Sequence, residues 1–285
     1  MKKVLVLGAA GMAGHMVYTY LKELNKYDVF GTTNSNNLEG VTLKMNIFNQ
    51  QEVENVITTV KPDIIINCIG MLIRTSKTHP DQTIYGNAYF PYILKVLAEE
   101  NKAKLIHIST DCVFSGKTGQ YTEMSFKDAT DVYGLSKNLG EINDEKNLTI
   151  RTSIIGPELK KNGEGLFNWF MHQEAPISGF KSNFWSGVTT LELAKFIEWQ
   201  IDNPLTGLVH LTNNQSISKF DLLHIFNNVY GKNLVILDDK DYNCDKSFIN
   251  TNKAIDFIVP SYTEMLEEQR KFMDKHSNYY NKIYY

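Results

Sequence analysis

A chain of 285 residues is long enough for one large domain or two unequal ones, and 42% hydrophobic with 21% charged residues excludes a disordered or fibrous protein. Its 29 basic and 32 acidic residues leave a net charge of −3, which argues against a general nucleic-acid binder or a polybasic membrane-surface protein. Three cysteines (Cys68, Cys112, Cys244) without a CxxC pair exclude a disulfide framework or a Cys-rich zinc site. The seven scattered histidines form no HxH or HExxH, so no metal site is expected. No apolar run approaches the length of a membrane span, and the expectation is a soluble cytoplasmic protein.

The first 155 residues alternate strand and helix patterns. Val4 to Leu7 form a short apolar run closed by Gly8, as in a buried parallel strand. Met16, Val17, Tyr20, Leu21 and Leu24 then recur on one helical face. Residues 28–32 and 41–44 read as strands. Asn49 with Glu52 reads as a capping-box helix start, and Val53, Val56, Ile57 and Val60 give that helix its apolar stripe. Residues 63–67 are the clearest buried strand. A helix ending near Asn101, a strand at 104–108, a helix over 132–145 and a strand at 148–152 follow. Such alternation implies a Rossmann-type, doubly wound parallel sheet. Beyond Gly156 the pattern loosens into a smaller α+β lobe, with a helix at 191–201, a strand at 208–212 and a helix at 219–230. The expected division is a dinucleotide-binding domain over 1–155 and a substrate lobe over 156–285, with 205–215 a candidate for rejoining the sheet. The aromatic tail, residues 279–285, is expected to pack on a neighbouring surface of its own chain, with a subunit contact as the sharper alternative.

Gly8, Gly11 and Gly14 form a GxxGxxG directly after the first strand and at the opening of a helix. Glycines there let backbone N–H groups approach a pyrophosphate, and the helix terminus adds partial positive charge. About twenty residues on, where an acid would hold the ribose of NAD, stand Thr33 and Asn34. No carboxylate is there to repel a 2′-phosphate, so NADPH is expected, with NADH as the alternative; His15 is a further candidate donor.

Tyr133 and Lys137 make a YxxxK pair, and i, i+4 spacing sets both on one helical face. A lysine ammonium beside a phenol is expected to lower the tyrosine pKa towards neutrality and fit it for proton transfer. Tyr18/Lys22 and Tyr242/Lys246 match the same spacing. What separates Tyr133 is the preceding strand, whose end carries Ser109-Thr110-Asp111 and so a hydroxyl for the same substrate oxygen.

The succession GxxGxxG, STDCVFSG, YGLSK and RTSIIG resembles the extended short-chain dehydrogenase/reductases, and within them the dTDP-4-dehydrorhamnose reductase branch. The resemblance covers residues 1 to about 155 and continues weakly through 186–194. It implies a Rossmann domain, an NAD(P)H cofactor and a catalytic set of Thr110, Tyr133 and Lys137. The cofactor set it implies is Gly8, Gly11, Met12, Gly14, Thr33, Asn34, Asn46, Ile47, Cys68, Ile69, Gly70, Tyr133 and Lys137. Thr110, Asp111, Cys112, Ile154 and Trp185 are its candidates for touching substrate. The family usually has an aromatic where Cys112 stands, a tryptophan where Ile154 stands, and an alanine-rich run at 69–74. The resemblance implies that those positions meet the sugar, so the sugar stays open between a dTDP-4-dehydrorhamnose-like compound and a UDP-4-keto-6-deoxy-N-acetylhexosamine. The implied activity is reduction of the 4-keto group, by a monomer or homodimer. The alternatives are a nucleotide-binding regulatory subunit, like the regulatory partner of methionine adenosyltransferase, and a nucleotide-sugar epimerase.

Overall fold

The computed structural model describes residues 1–174 and 176–284. Strand β1 (Lys3–Leu7) forms where the sequence is continuously apolar, and Val4 to Leu7 are fully buried. Helix α1 (Met12–Glu23) buries Met16, Val17 and Leu21 against β1 and β2 (Asp28–Thr33). Strand β3 is only Leu43–Lys44, because Val41 turns back to bond the Leu38 carbonyl. Helix α2 (Gln50–Val60) starts at Asn49, whose side chain accepts from Glu52 N. The return limb of the expected capping box is rerouted: the Glu52 carboxylate accepts from Asn46 N and Asn49 Nδ2, both at 2.8 Å.

Strand β4 (Ile64–Asn67) is followed by helices α3 (Ile73–Thr78) and α4 (Pro80–Ile84), then a π-helical turn at Tyr85–Tyr89 that runs into α5 (Phe90–Glu100). Strand β5 (Lys104–Ser109) leads through a 3₁₀ turn at Asp111–Val113 and a loop to α6 (Val132–Leu139), then β6 (Leu148–Arg151). Helix α6 stops six residues short of the expected 145. Beyond Gly140 the backbone is held by side chains instead: Thr149 Oγ1 bonds both Ile142 N and Ile142 O, and Asp144 accepts from Lys146 N and Asn147 N.

The later elements are β7 (Ile154–Ile155), α7 (Leu166–Met171), β8 (Ile177–Phe180), β9 (Asn183–Trp185), β10 (Val188–Thr189), α8 (Thr190–Asp202) and β11 (Gly207–His210). After them come β12 (Ile217–Ser218), α9 (Lys219–Tyr230), β13 (Ile236–Asp239), β14 (Cys244–Asp245), α10 (Tyr262–Lys275) and α11 (Ser277–Tyr284).

The seven-stranded sheet has the order β11-β6-β5-β4-β1-β2-β3. The pairs β1–β2, β1–β4, β2–β3, β4–β5 and β5–β6 are all parallel. Leu5, Leu7, Ile65 and Leu105 meet α2 and α5 through Val53, Ile57, Phe90 and Leu94. This is the doubly wound α/β architecture expected. Two compact units interleave along the chain. The first comprises Met1–Val113, Ala129–Arg151 and Ala194–Val209; the second comprises Phe114–Asp128, Thr152–Leu193 and the residues from His210 onward.

Within the second unit β10 pairs with β7, β9 lies between β12 and β14, and β13 pairs with β8. The tail through Tyr284 packs inside this unit; Tyr285 lies outside the described residues. Tyr280 is fully buried, and the Tyr284 hydroxyl accepts from Glu158 N at 2.7 Å. Among the described residues no helix is long and apolar enough to cross a membrane.

Candidate active site

In the first unit the strand order reverses between β1 and β4: β2 and β3 lie on one side, β5 and β6 on the other. At such a reversal the loops leaving the carboxyl ends of the strands diverge and leave a crevice, the usual ligand site of open α/β sheets. The loop after β1 holds the three glycines. Gly8 has φ +75°, and its N–H donates to Thr32 Oγ1 at 3.3 Å. Gly11 N returns to the Gly8 carbonyl at 2.9 Å and closes the turn. A Cβ on Gly14 would lie 2.1 Å from that same carbonyl oxygen, so only glycine lets α1 start this close to β1. Gly11, the exposed N-cap of α1, supplies no side-chain cap, and the first turn of the helix carries no acid. Such an end favours an anion.

The loop after β4 walls the turn. A Cβ on Gly8 would come within 2.8 Å of Ile69 Cγ1. Ile69 N is fixed by Asn67 Oδ1 at 3.1 Å, and Asn67 Nδ2 meets His107 Nδ1 at 3.1 Å. Cys68 and Ile69 are half-buried and Gly70 is exposed. At the end of β2 Thr33 is buried with an unpartnered hydroxyl, while Asn34 is exposed. Past β3, Asn46 is half-buried and accepts from Phe48 N, and Ile47 joins the core under α2. His15 does not serve as the expected donor to a ligand. Its ring is fully buried, and Nδ1 bonds the Gly11 carbonyl one helical turn back at 2.8 Å.

Thr110 stands immediately after β5, nine-tenths buried; its hydroxyl accepts from Cys112 N at 3.2 Å and donates to Asp111 Oδ1 at 3.1 Å. Helix α6 is delivered to this point by Asp131, whose carboxylate caps Gly134 N at 3.0 Å. Gly134 allows the close approach, since a Cβ there would stand 2.3 Å from the Cys112 carbonyl. Tyr133 is thereby brought beside Thr110, near enough for that side chain to act on its phenol. One turn along, Lys137 is buried and its ammonium donates to the Ile108 carbonyl of β5 at 2.7 Å. Thr110, Asp111, Cys112, Tyr133 and Lys137 are thus gathered in one unit, at the carboxyl end of β5.

The electrostatics overturn one expectation. Burial pushes the Tyr133 phenol well above its ordinary range, with Cys112 acting in the same direction and Thr110 opposing both. Lys137 is not what governs it. Lys137 is itself drawn down to about 8 by burial, against the opposing pull of Glu141 and Cys68. Both side chains therefore favour their neutral forms more than free residues do.

The second unit holds Ile154, half-buried in β7, and Trp185 in β9. Trp185 is 3% exposed; its ring packs on Tyr262 at 5.6 Å, and Lys219 Nζ lies 4.9 Å over it. The decoy tyrosines are structural. Tyr18 is buried and donates to the Gly40 carbonyl at 2.9 Å, and Tyr242 tilts against Phe180 at 5.2 Å.

Sequence reasoning missed Asn87. Fully buried in the π-helical turn, it bonds Met71 N (2.8 Å), Met71 O (2.9 Å) and Ser136 Oγ (3.3 Å), so it ties the loop after β4 to α6. Its one sequence signal is an amide inside an otherwise apolar helical stretch.

A family model described as the RmlD substrate binding domain matches residues 1–237. The chain belongs to this family. Among relatives, methionine adenosyltransferase 2 subunit beta of Xenopus tropicalis is 26% identical over 242 residues, covering 78% of this chain and 70% of that one. The spore coat polysaccharide biosynthesis protein SpsK of Bacillus subtilis is 27% identical over 227 residues, covering 78% and 77%. Of solved structures, dTDP-4-dehydrorhamnose reductase from Bacillus anthracis in complex with NADP superimposes with a TM-score of 0.82 at 23% identity, covering 95% of this chain and 99% of that one. The RmlD-family fold thus extends over nearly the whole chain.

Proposed function

We propose that this RmlD-family chain reduces the 4-keto group of a nucleoside-diphosphate 4-keto-6-deoxy sugar, with NADPH preferred and NADH as the alternative. Its candidate substrates are a dTDP-4-dehydrorhamnose-like compound and a UDP-4-keto-6-deoxy-N-acetylhexosamine. The observation that carries the reading is the close approach of α6 to the end of β5, where Gly134 lies against the Cys112 carbonyl beside Thr110 and Lys137 donates to the Ile108 carbonyl one helical turn beyond Tyr133.

The glycine turn fits a dinucleotide. The backbone of Gly8 to Gly14 leaves a concave, uncapped helix end that a side chain would fill, which suits a pyrophosphate. Gly8, Gly11, Met12 and Gly14 would hold it, with Thr33, Asn34, Asn46 and Ile47 along the ends of β2 and β3 and Cys68, Ile69 and Gly70 after β4. NADPH, when bound, supplies a hydride equivalent. The chain's own residues manage the oxygen of the sugar carbonyl. Thr110 holds that oxygen by a hydrogen bond as negative charge grows on it, and Tyr133 donates the proton that completes the alcohol. Lys137, as an ammonium, compensates the phenolate left behind. Proton delivery of this kind is typically worth about 10²–10⁴-fold. Asp111, Cys112 and Ile154 are proposed to meet the sugar.

A second reading is a nucleotide-binding regulatory subunit, favoured by the similarity to methionine adenosyltransferase 2 subunit beta. Oxidation of NADPH against a panel of dTDP- and UDP-linked 4-keto sugars separates the two. Turnover on one of these sugars supports the reductase. NADPH binding with no turnover on any would discard it in favour of the regulatory subunit.

A further inference from the structure

Behind the carboxyl ends of β5 and β6 lies a carboxylate–guanidinium pair almost wholly removed from water. The Arg151 and Glu141 side chains are each 1% exposed. Arg151 Nε meets Glu141 Oε1 at 2.8 Å, and the Arg151 terminal nitrogen meets Oε2 at 2.7 Å, the two-pronged geometry that suits a guanidinium best. Ser109 Oγ adds a third bond to Oε1 at 2.7 Å. A buried ion pair is poor at stabilising a fold, because desolvation consumes most of what the attraction returns. Stability therefore does not account for this one.

Its position does. Ser109 is the last residue of β5 and the neighbour of Thr110. Glu141 follows the end of α6 and stands four residues beyond Lys137. Arg151 is the last residue of β6. A single carboxylate thus joins the strand that presents Thr110 to the helix that presents Tyr133 and Lys137. We propose that Glu141 is a positioning residue for this set: clamped by Arg151 and Ser109, it holds the end of α6 against β5 and keeps the Lys137 ammonium seated on the Ile108 carbonyl. The inference rests on the catalytic reading of Thr110, Tyr133 and Lys137.

The groups facing Lys137 agree with this role. Glu141 acts from the end of α6 and favours the ammonium; Cys68, in the loop after β4, has its thiol pushed up to about 12 by burial and stays neutral where Lys137 titrates. His107, on β5, stays neutral, since burial and Lys137 itself both disfavour its protonation. Glu141 is therefore the main influence holding Lys137 charged against its own burial.

The test is a pH titration of Lys137 in the intact protein, read from the ¹³Cε signal of labelled lysine and assigned by its loss in Lys137→Met. Two variants are compared with the parent. Glu141→Gln removes the charge but leaves Arg151 unpaired, so Glu141→Gln/Arg151→Met, which replaces the pair by neutral groups, guards against unfolding. In both, the Lys137 midpoint should fall by about half a unit or more from its parent value, and the alkaline limb of kcat should move with it. A folded double variant whose Lys137 midpoint is unmoved, even with reduced turnover, would reduce the pair to structural support and overturn the proposal. The titration needs no substrate. Failure of the parent to turn over any keto sugar would count against the reductase reading alone.

Discussion

The two glycines flanking the helix start should respond to substitution in opposite ways. At Gly14 an alanine Cβ would lie 2.1 Å from Gly8 O, 2.8 Å from Gly8 C and 3.1 Å from Ala9 Cα. These are backbone atoms of the turn, so no rotamer change relieves the clash, and α1 must retreat from β1. Overpacking of this severity costs about 3 kcal/mol, or roughly 6–12 °C in Tm for a protein of this size. At Gly11 the new Cβ meets only Gly8 O, at 3.3 Å, and φ −80°, ψ 172° is open to any residue. Gly11→Val should therefore cost only about 0.5–1 kcal/mol, from a poorer N-cap. The valine would, however, fill the cradle, and NADPH affinity should fall more than about tenfold, or 1.4 kcal/mol. Thermal melting with and without NADPH, together with fluorescence titration of NADPH, reads both effects. A Gly14→Ala protein that melts with the parent would refute the steric reasoning. A Gly11→Val protein that binds NADPH as the parent does would remove the dinucleotide from this turn.

Tyr133→Phe should lower kcat by about 10²–10⁴-fold with NADPH affinity retained, whereas Tyr18→Phe and Tyr242→Phe should leave turnover near the parent's; stopped-flow NADPH oxidation distinguishes them. Asn34→Asp should move preference towards NADH by about tenfold in kcat/KM, because a carboxylate at the end of β2 accepts a ribose hydroxyl and repels a 2′-phosphate; an unchanged NADPH/NADH ratio would refute that argument. Tyr284→Phe should destabilise the second unit by about 1–3 kcal/mol in urea unfolding, since Glu158 N loses its buried partner.

The fold was legible wherever pairing is local. The uninterrupted apolar run of β1, the three glycines after it and the 3.6-residue face of α9 are all local patterns, and α9 spans the residues 219–230 that the sequence suggests. Residues 73–89 were not legible. They carry Pro80 and no sustained apolar period, yet fold as α3, α4 and a π-helical turn because Asn87 anchors them to Met71 and to Ser136. The short strands of the second unit are equally hidden, since β9 is defined by partners about 30 and 60 residues further along the chain. At the site, spacing revealed that Tyr133 and Lys137 share a face of α6. It did not reveal that Lys137 is buried while Tyr133 is half-buried, nor that the lysine ammonium is taken up by the Ile108 carbonyl. His15 misled for a related reason: from the sequence it is a donor beside a phosphate turn, but in the helix its buried ring bonds the Gly11 carbonyl one turn back.

That difference in burial bears on the direction of the proposed reaction. A free tyrosine poised by a lysine would exchange its proton either way near neutral pH. Here burial favours the neutral phenol, so Tyr133 keeps its proton until a stronger base, the developing alkoxide, is presented to it. Reduction of a carbonyl creates that base; oxidation of an alcohol instead requires phenolate, which the surroundings penalise. Lys137 sets the upper limit. Drawn from its ordinary 10.5 to about 8, it is an ammonium below that pH and neutral above it, and only the ammonium can compensate the charge Tyr133 acquires on giving up its proton. For keto-sugar reduction kcat should therefore be level from about pH 6 to 7.5 and decline as pH rises through about 8, with alcohol oxidation much slower across the same range. A kcat profile level to pH 10 would show that the charge on Lys137 is not needed. Oxidation as fast as reduction at pH 7 would show that burial does not hold the proton on Tyr133.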